Sequence, residues 1–316
     1  MRVAVIDVGS NTVHMCAYDV EEQAGRPFPK RLFKVKKQLG LAAYIDQDGN
    51  LTKEGEDRCI DAVHQLVGIA RTSSIDQVHV FATATIRQAA NRKQVVKRIQ
   101  HQCNVSLEVL SSEEEALMDF DAVSYELDAS DGILADIGGG SSEVVRFSGK
   151  APVLVLGFPL GSLRLFRDFV DDVLPSTSER VAIEDAVAAH LQKPEWGALG
   201  ESKTLYAVGG SCRAALKLLS HCSPASVDQR AFPVLALDAL LSDFAQNRCL
   251  AVRSITQVCP DRIHTALPGM LVLQYLAHAV RADRIVVGSF GVREGYLIRR
   301  VFSQKSKGEG KRGKQL

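Results

Sequence analysis

An apolar run that ends in Asp, turns through glycine and resumes as a second apolar run occurs twice in this chain. The first copy is Val3-Ala4-Val5-Ile6-Asp7-Val8-Gly9-Ser10-Asn11-Thr12, continuing from Val13 to Val20. The second is Ile133-Leu134-Ala135-Asp136-Ile137-Gly138-Gly139-Gly140-Ser141-Ser142, continuing from Glu143 to Phe147. Each reads as a β-hairpin with a tight turn, whose glycines permit positive φ and close approach of the backbone to a ligand. Ser, Thr and Asn add hydroxyl or amide donors at the same turn, so it can hold a phosphate. An Asp beside those donors would repel a phosphate unless a divalent cation lay between them, and Mg²⁺ is the ion that takes one or two carboxylates plus phosphate oxygens. A single copy reads equally well as a hairpin whose glycines serve only the turn. Two copies in the same order point to two half-domains closing on a phosphate and a metal.

The rest of the chain alternates strands and helices, which is α/β order. After the first hairpin come a strand at 31–35, a helix at about 53–72 with an apolar stripe at Ile60, Val63, Leu66 and Val67, and a strand at 77–82. The segment 83–92 connects to a helix at about 94–102, and a strand at 106–110 leads to Ser111-Ser112, which can cap a helix over 113–125. Beyond the second hairpin, Pro175-Ser176-Thr177 caps a further helix, and the buried strand 204–208 delivers Gly209-Gly210-Ser211 to a helix N-terminus, a natural anion site. Its plain alternative is a strand-to-helix connection. Apolar helices at 235–246 and 268–280, a strand at 284–288 and a last helix at 295–302 follow. Residues 304–316 are polar, carry five cations and read as a disordered, solvated tail.

With 316 residues, 46% hydrophobic, the chain can bury a large core and divide into two domains. A net charge of +1 gives no general attraction to nucleic acid or membrane. Seven cysteines without CxxC spacing argue for free thiols in a reducing compartment, and neither a leader nor a membrane span is legible. A cytoplasmic protein is expected.

Seven segments, in order, carry a family resemblance. Asp7-Val8-Gly9-Ser10-Asn11-Thr12, then Ala82-Thr83-Ala84-Thr85-Ile86-Arg87 with Asn91, Ser111-Ser112-Glu113-Glu114-Glu115-Ala116 and Asp136-Ile137-Gly138-Gly139-Gly140-Ser141-Ser142-Glu143 resemble the exopolyphosphatase / guanosine pentaphosphate phosphohydrolase (Ppx/GppA) family. Pro159-Leu160-Gly161-Ser162-Leu163-Arg164-Leu165, Val208-Gly209-Gly210-Ser211 and Gly291-Val292-Arg293-Glu294-Gly295 continue the match. The resemblance implies an actin/Hsp70/sugar-kinase (ribonuclease H-like) fold of two α/β domains with a phosphate cleft. It sets domain I at 1–122, with a helix at about 296–303 packing back on it, and domain II at 123–295. The length matches the short members of the family.

By the same resemblance, Glu115 is the candidate base for an attacking water; the residues alone do not choose among Glu113, Glu114 and Glu115. Asp136 and Glu143 would hold Mg²⁺ or the water, with Asp7 acting likewise, and their bland alternatives are turn capping and a solvent-facing strand position. Arg87 is the expected phosphate clamp, because guanidinium offers a charged fork to phosphate oxygens, with a surface salt bridge as the alternative. Asn91 can share its site. Backbone amides at Gly9, Ser10, Asn11 and Thr12, at Gly138, Gly139, Gly140 and Ser141, and at Gly209, Gly210 and Ser211 would cradle successive phosphates, while Arg293 and Glu294 would pair with each other. His14, Gln88 and Ser112 stand where the family often has Arg, an acid and Gly.

The expected activity is Mg²⁺-assisted hydrolysis of the terminal phosphate of inorganic polyphosphate by direct water attack. The γ-type phosphate of guanosine pentaphosphate is the alternative substrate, and a non-catalytic polyphosphate or nucleotide sensor the alternative class; a sugar or acetate kinase is disfavoured by the Glu-Glu-Ala and Arg87 segments. The resemblance also allows a homodimer.

Overall fold

The computed structural model describes residues 1–23 and 25–302, which form two compact units. Unit 1 comprises Met1–Asp121 and the chain from Val292 onward; unit 2 is Ala122–Gly291. The expected tail at 304–316 lies outside the described residues. No helix among them is long and apolar enough to cross a membrane.

In unit 1, β1 (Arg2–Val8), β2 (Thr12–Gln23) and β3 (Arg26–Gln38) form an antiparallel meander. After α1 (Lys53–Thr72) come β4 (Gln77–Ala82), the single turn α2 (Ala84–Gln88), α3 (Arg92–Cys103), β5 (Leu107–Val109) and α4 (Ser112–Leu127), whose residues up to Asp121 belong to this unit. The sheet order is β3-β2-β1-β4-β5, with β4 parallel to both β1 and β5. Strand side chains alternate between faces. Ala4, Ile6 and Val8 therefore meet Ile60, Val63 and Leu66 of α1, together with Val95 and Ile99 of α3. Val3 and Val5 face the other way, onto Tyr296, Leu297, Val301 and Phe302. Burial on both faces explains why β1 reads as a near-continuous apolar run.

The strand expected at 31–35 is in fact the 13-residue β3, which runs through Pro27 and Pro29. Proline lacks a backbone donor and so argues against a central strand, but β3 is an edge strand, where proline is tolerated.

Unit 2 repeats the pattern. β6 (Gly132–Ile137), β7 (Ser142–Ser148) and β8 (Ala151–Phe158) form the meander. Then follow α5 (Ser162–Phe169), α6 (Thr177–Leu191), α7 (Pro194–Gly197), β9 (Thr204–Val208), α8 (Gly210–Cys222), β10 (Ala231–Pro233), α9 (Val234–Gln246), α10 (Arg248–Val258), α11 (Ala266–Ala279) and β11 (Arg284–Val287). The order β8-β7-β6-β9-β11, with β9 parallel to β6 and β11, is the order of unit 1 over again, and β10 adds one antiparallel edge strand. The duplication seen in the hairpins thus extends to the whole sheet. As expected, Ser176 caps α6, forming a capping box with Glu179. The last helix forms in two pieces, α12 (Val292–Tyr296) and a π-helical segment over Leu297–Phe302.

Candidate active site

Both glycine turns close the same way. Gly9 N–H donates to Thr12 O at 3.0 Å, and Gly138 N–H donates to Ser141 O at 3.0 Å. A Cβ on Gly9 would lie 3.2 Å from Thr12 O, and one on Gly138 would lie 3.0 Å from Ser141 O. Close approach therefore explains these glycines, and neither uses a positive φ. Hairpin register sets the acids: Asp7 stands opposite His14, and Asp136 opposite Glu143. Cross-strand partners share a face, so the two carboxylates of unit 2 lie side by side.

In unit 1, Asp7 Oδ2 accepts from Arg293 Nη1 at 2.9 Å, with both side chains largely buried. The expected Arg293–Glu294 pair does not form, because adjacent residues on α12 diverge: Glu294 Oε1 instead accepts from the buried Tyr18 hydroxyl at 2.6 Å. Burial, and then the Glu294 charge, hold that phenol well above its ordinary range. Asp7, expected to hold a metal, has a guanidinium beside it. On the turn itself, the carbonyl of Asn11 accepts from Leu39 and Gly40 N–H, both at 2.9 Å, and that of Ser10 accepts from Ala42 N–H at 3.1 Å. Those bonds tie the turn containing Gly9 and Thr12 to the chain that follows β3.

The glutamate trio separates by partner. Ser111 Oγ accepts from Glu114 N–H at 3.0 Å while Glu114 Oε2 accepts from Ser111 N–H at 3.0 Å, a reciprocal cap on α4. Glu114 also takes Arg300 Nη2 at 2.7 Å, and Glu113 is exposed. Glu115 alone of the three is buried, and its Oε2 accepts from Arg87 Nη1 at 2.8 Å. The same Nη1 donates to Leu110 O at 3.0 Å, so the guanidinium on α2 joins the end of β5 to the first turn of α4. This ion pair is not a surface one, since its side chains are 15% and 11% exposed. The Asn91 amide brackets Leu51, accepting from its N–H and donating to its O, each at 2.9 Å, and also donates to Glu56 at 3.1 Å.

In unit 2, Asp136 and Glu143 are both buried, and Glu143 Oε1 accepts from Ser141 Oγ at 2.7 Å. The carbonyls of Gly138 and Gly139 accept from Ser162, Leu163 and Arg164 N–H at the start of α5. A Cβ on Gly161 would overlap Gly139, and its absence lets the loop containing Gly139 and Gly140 lie on that helix end. The third glycine motif closes in on the acid. Gly209 has φ +93°, and a Cβ there would lie 2.5 Å from Asp136 Oδ1. One residue on, a Cβ on Gly210 would overlap the guanidinium of Arg262, which stands at the N-terminus of α8, where Ser211 is buried.

Burial, and then the nearby Arg213, pull the Arg262 pKa below its ordinary value. Two guanidiniums at the positive end of a helix dipole oppose one another unless an anion joins them. Arg262 went unnoticed in the sequence, because a Pro-Asp-Arg turn 50 residues downstream carries no motif. All seven cysteines are free thiols, as expected.

The profile of the Ppx/GppA phosphatase family matches residues 19–304. Exopolyphosphatase 1 of Mycobacterium tuberculosis (strain ATCC 25618 / H37Rv) is 31% identical over 310 residues, covering 96% of this chain and 89% of that protein. Exopolyphosphatase 1 of Mycobacterium leprae is 28% identical over 96% of this chain and 91% of its own. Among solved structures, an exopolyphosphatase from Cytophaga hutchinsonii superposes with a TM-score of 0.81 at 21% identity, covering 94% of this chain and 97% of that one. The Aquifex aeolicus Ppx/GppA family member gives 0.77 at 21% identity, over 96% and 98%. These structures share the two-unit α/β fold.

Proposed function

Since the chain belongs to the Ppx/GppA phosphatase family and is a phosphoanhydride hydrolase, we propose that it removes the terminal phosphate of inorganic polyphosphate by direct attack of water. The single observation that carries the reading is the buried Arg87–Glu115 pair. Hydrolysis of a phosphoanhydride needs a water oriented or deprotonated, the phosphoryl group held in line, and its charge neutralised. Glu115 takes the proton of the water, since a carboxylate fixed by a guanidinium keeps one orientation. Arg87 sets that orientation and presents its charge to the terminal phosphoryl oxygens.

Asp136 and Glu143 supply the cation site. Two buried carboxylates side by side repel each other, and Mg²⁺ bound by one or two carboxylates plus phosphate oxygens relieves that repulsion. They fit the group better than Asp7, whose charge Arg293 already meets. Bound there, the cation neutralises charge on the phosphoryl oxygens. In this reading the turns from Gly9 to Thr12 and from Gly138 to Ser141 each cradle phosphate oxygens, and Gly209 to Ser211 with Arg262 hold a further phosphate.

The test is phosphate release from long polyphosphate, tripolyphosphate, guanosine pentaphosphate and ATP, each with Mg²⁺ and with EDTA. Mg²⁺-dependent release that is fastest from long polyphosphate is expected. Preference for guanosine pentaphosphate would replace the substrate assignment, and binding of polyphosphate without any release would make the protein a sensor.

A further inference from the structure

The two meanders end on strands that are alike in form and opposite in charge. β3 and β8 are the outer strands of their sheets, and each holds proline and a bulge, with Leu32 as the extra residue of β3 and Val153 that of β8. β3 has lysine or arginine at six positions. β8 reads Ala151-Pro152-Val153-Leu154-Val155-Leu156-Gly157-Phe158, and no charged residue lies between Lys150 and Arg164. Lys150 itself meets Asp128 at 2.6 Å.

Charge and proline keep an edge strand from pairing with another chain, and β3 has both along its length. On β8 the proline and the bulge stand near its start. From Leu154 onward the strand is regular: Leu154 pairs with Arg146, Val155 with Val145 and Leu156 with Val144. One edge of that stretch is taken by β7, and among the described residues no hydrogen bond reaches its backbone from the other edge. Leu154 and Leu156 lean on the core below, Val155 is half-buried, and Val153 is 67% exposed. α6, whose His190 ring meets that of Phe158 at 6.1 Å, flanks the strand and leaves Val181 51% exposed. A short apolar stretch with an open edge and no charge is a template for another strand.

We propose that β8 pairs antiparallel with β8 of a second copy of this chain, across a two-fold axis near Val155, and joins the two six-stranded sheets into one. A two-fold axis sets each residue against its own copy or a near neighbour, so a strand can use it only where like charges do not meet. β3 paired in this way would oppose cations with cations; β8 has no charge to oppose. Centred on Val155, the pairing sets Leu154 against Leu156 of the second copy and Val153 against Gly157, and it leaves Pro152, which lacks a donor, outside the ladder. The self-matched apolar edge also distinguishes this partner from a charged peptide, for which β8 offers no counter-charge. The inference is independent of the polyphosphate reading.

The test is the mass of the full chain in solution, by sedimentation velocity and light scattering. Wild type is expected at about twice the chain mass of 34.4 kDa at micromolar concentration. Val155→Lys sets an ammonium against its own copy and should raise the dimer dissociation constant about tenfold or more, and Val155→Glu should do the same. Mixing V155K with V155E should restore a dimer holding one of each, which a general loss of stability would not allow. Val155→Cys, a near-isosteric change made with Cys222→Ser and Cys249→Ser, keeps the test open should the charged variants fail to fold: mild oxidation is expected to link two chains through position 155, and Leu32→Cys on β3 in the same background should stay unlinked. Leu235→Lys on α9, at an apolar residue 77% exposed, is the control expected to remain dimeric. A monomeric wild type overturns the proposal. So do a dimer that survives Val155→Lys, folded charged variants that do not pair when mixed, and a Val155→Cys variant that forms no link.

Discussion

Arg87 Nη1 lies 2.8 Å from Glu115 Oε2, and the same nitrogen donates to Leu110 O, so one guanidinium fixes the first turn of α4 to the strand before it. The pair fixes where the Glu115 carboxylate points. We expect Glu115→Gln to lower phosphate release by about 10²–10⁴-fold, the range for loss of a positioned base, while polyphosphate binding stays near wild type. Arg87→Lys is expected to lower kcat and raise KM together, because an ammonium keeps the charge and loses the fork. Steady-state release assays read both, and release by Glu115→Gln at the wild-type rate would remove Glu115 from the role of base.

Gly209 combines a φ that L-residues rarely adopt with a Cβ position 2.5 Å from Asp136 Oδ1. Gly209→Ala therefore strains the backbone and displaces the acid at once. A cost of about 1–3 kcal/mol is expected from the backbone alone, read by chemical denaturation. Loss of phosphate release should exceed what that destabilisation explains at temperatures where the variant remains folded, and half-maximal release should need a higher Mg²⁺ concentration than in wild type.

How much of this could be read from the residues differs by element. The hairpins, the parallel strands after them and the Ser176 cap were legible, because period-two burial, glycine turns and a Ser-x-x-Glu box are local signals. The full length of β3 was not legible: Pro27 and Pro29 lie in it, and proline suits a strand at a sheet edge, a property of the whole sheet. α10 was missed although Asn247 caps it and its buried residues Ala251, Ser254 and Ile255 follow helical spacing, because only Ile255 of those three is a large apolar residue. At the site, Asp136 and Glu143 came as a pair from the family resemblance, and the hairpin register sets them opposite each other. The partners of Arg293, Asn91 and Arg262 were not legible, since each depends on a contact distant in sequence: Asp7, Leu51 and the N-terminus of α8.

Glu114 and Ser111 make a pH prediction. Ser111 N–H, and after it Arg300, hold the Glu114 carboxyl below the ordinary glutamate value of 4.5. A group with a depressed folded pKa contributes stability that is complete above the unfolded value and is lost as pH falls through the folded one. The destabilisation caused by Glu114→Gln should be full at pH 7 and shrink progressively below pH 4.5. Ser111→Ala, which removes the other half of the cap, should cost about 1 kcal/mol at neutral pH. Urea denaturation at several pH values reads both, and a Glu114→Gln effect independent of pH would argue against the charged cap.

Thiol reactivity should follow burial. Cys222 and Cys249 are exposed, whereas burial, with Cys103 adding to it, pushes the Cys59 thiol up to about 12. Thiolate is the reactive form, so native protein treated with a disulfide reagent should modify two cysteines quickly and the remaining five only on unfolding. Peptide mass spectrometry identifies the labelled sites, and early labelling of Cys59 would contradict the packing of α1.

Asp7 and Arg293 form an ion pair whose side chains are only 15% and 14% exposed. Removing one member of such a pair leaves an uncompensated charge, at a typical cost of about 3–5 kcal/mol, whereas removing both often costs far less. Asp7→Asn and Arg293→Met should each lower stability strongly, and the double variant should lose clearly less than the sum of the two. The same cycle separates two roles for Asp7. If the aspartate acts through Arg293, both single variants change stability alike and the Mg²⁺ dependence of phosphate release stays near that of wild type in the fraction that folds. If Asp7 is instead a metal ligand, Asp7→Asn alone shifts the Mg²⁺ concentration needed for half-maximal release while Arg293→Met does not. The 2.9 Å contact favours the first outcome, because a guanidinium beside Asp7 opposes the approach of a second cation.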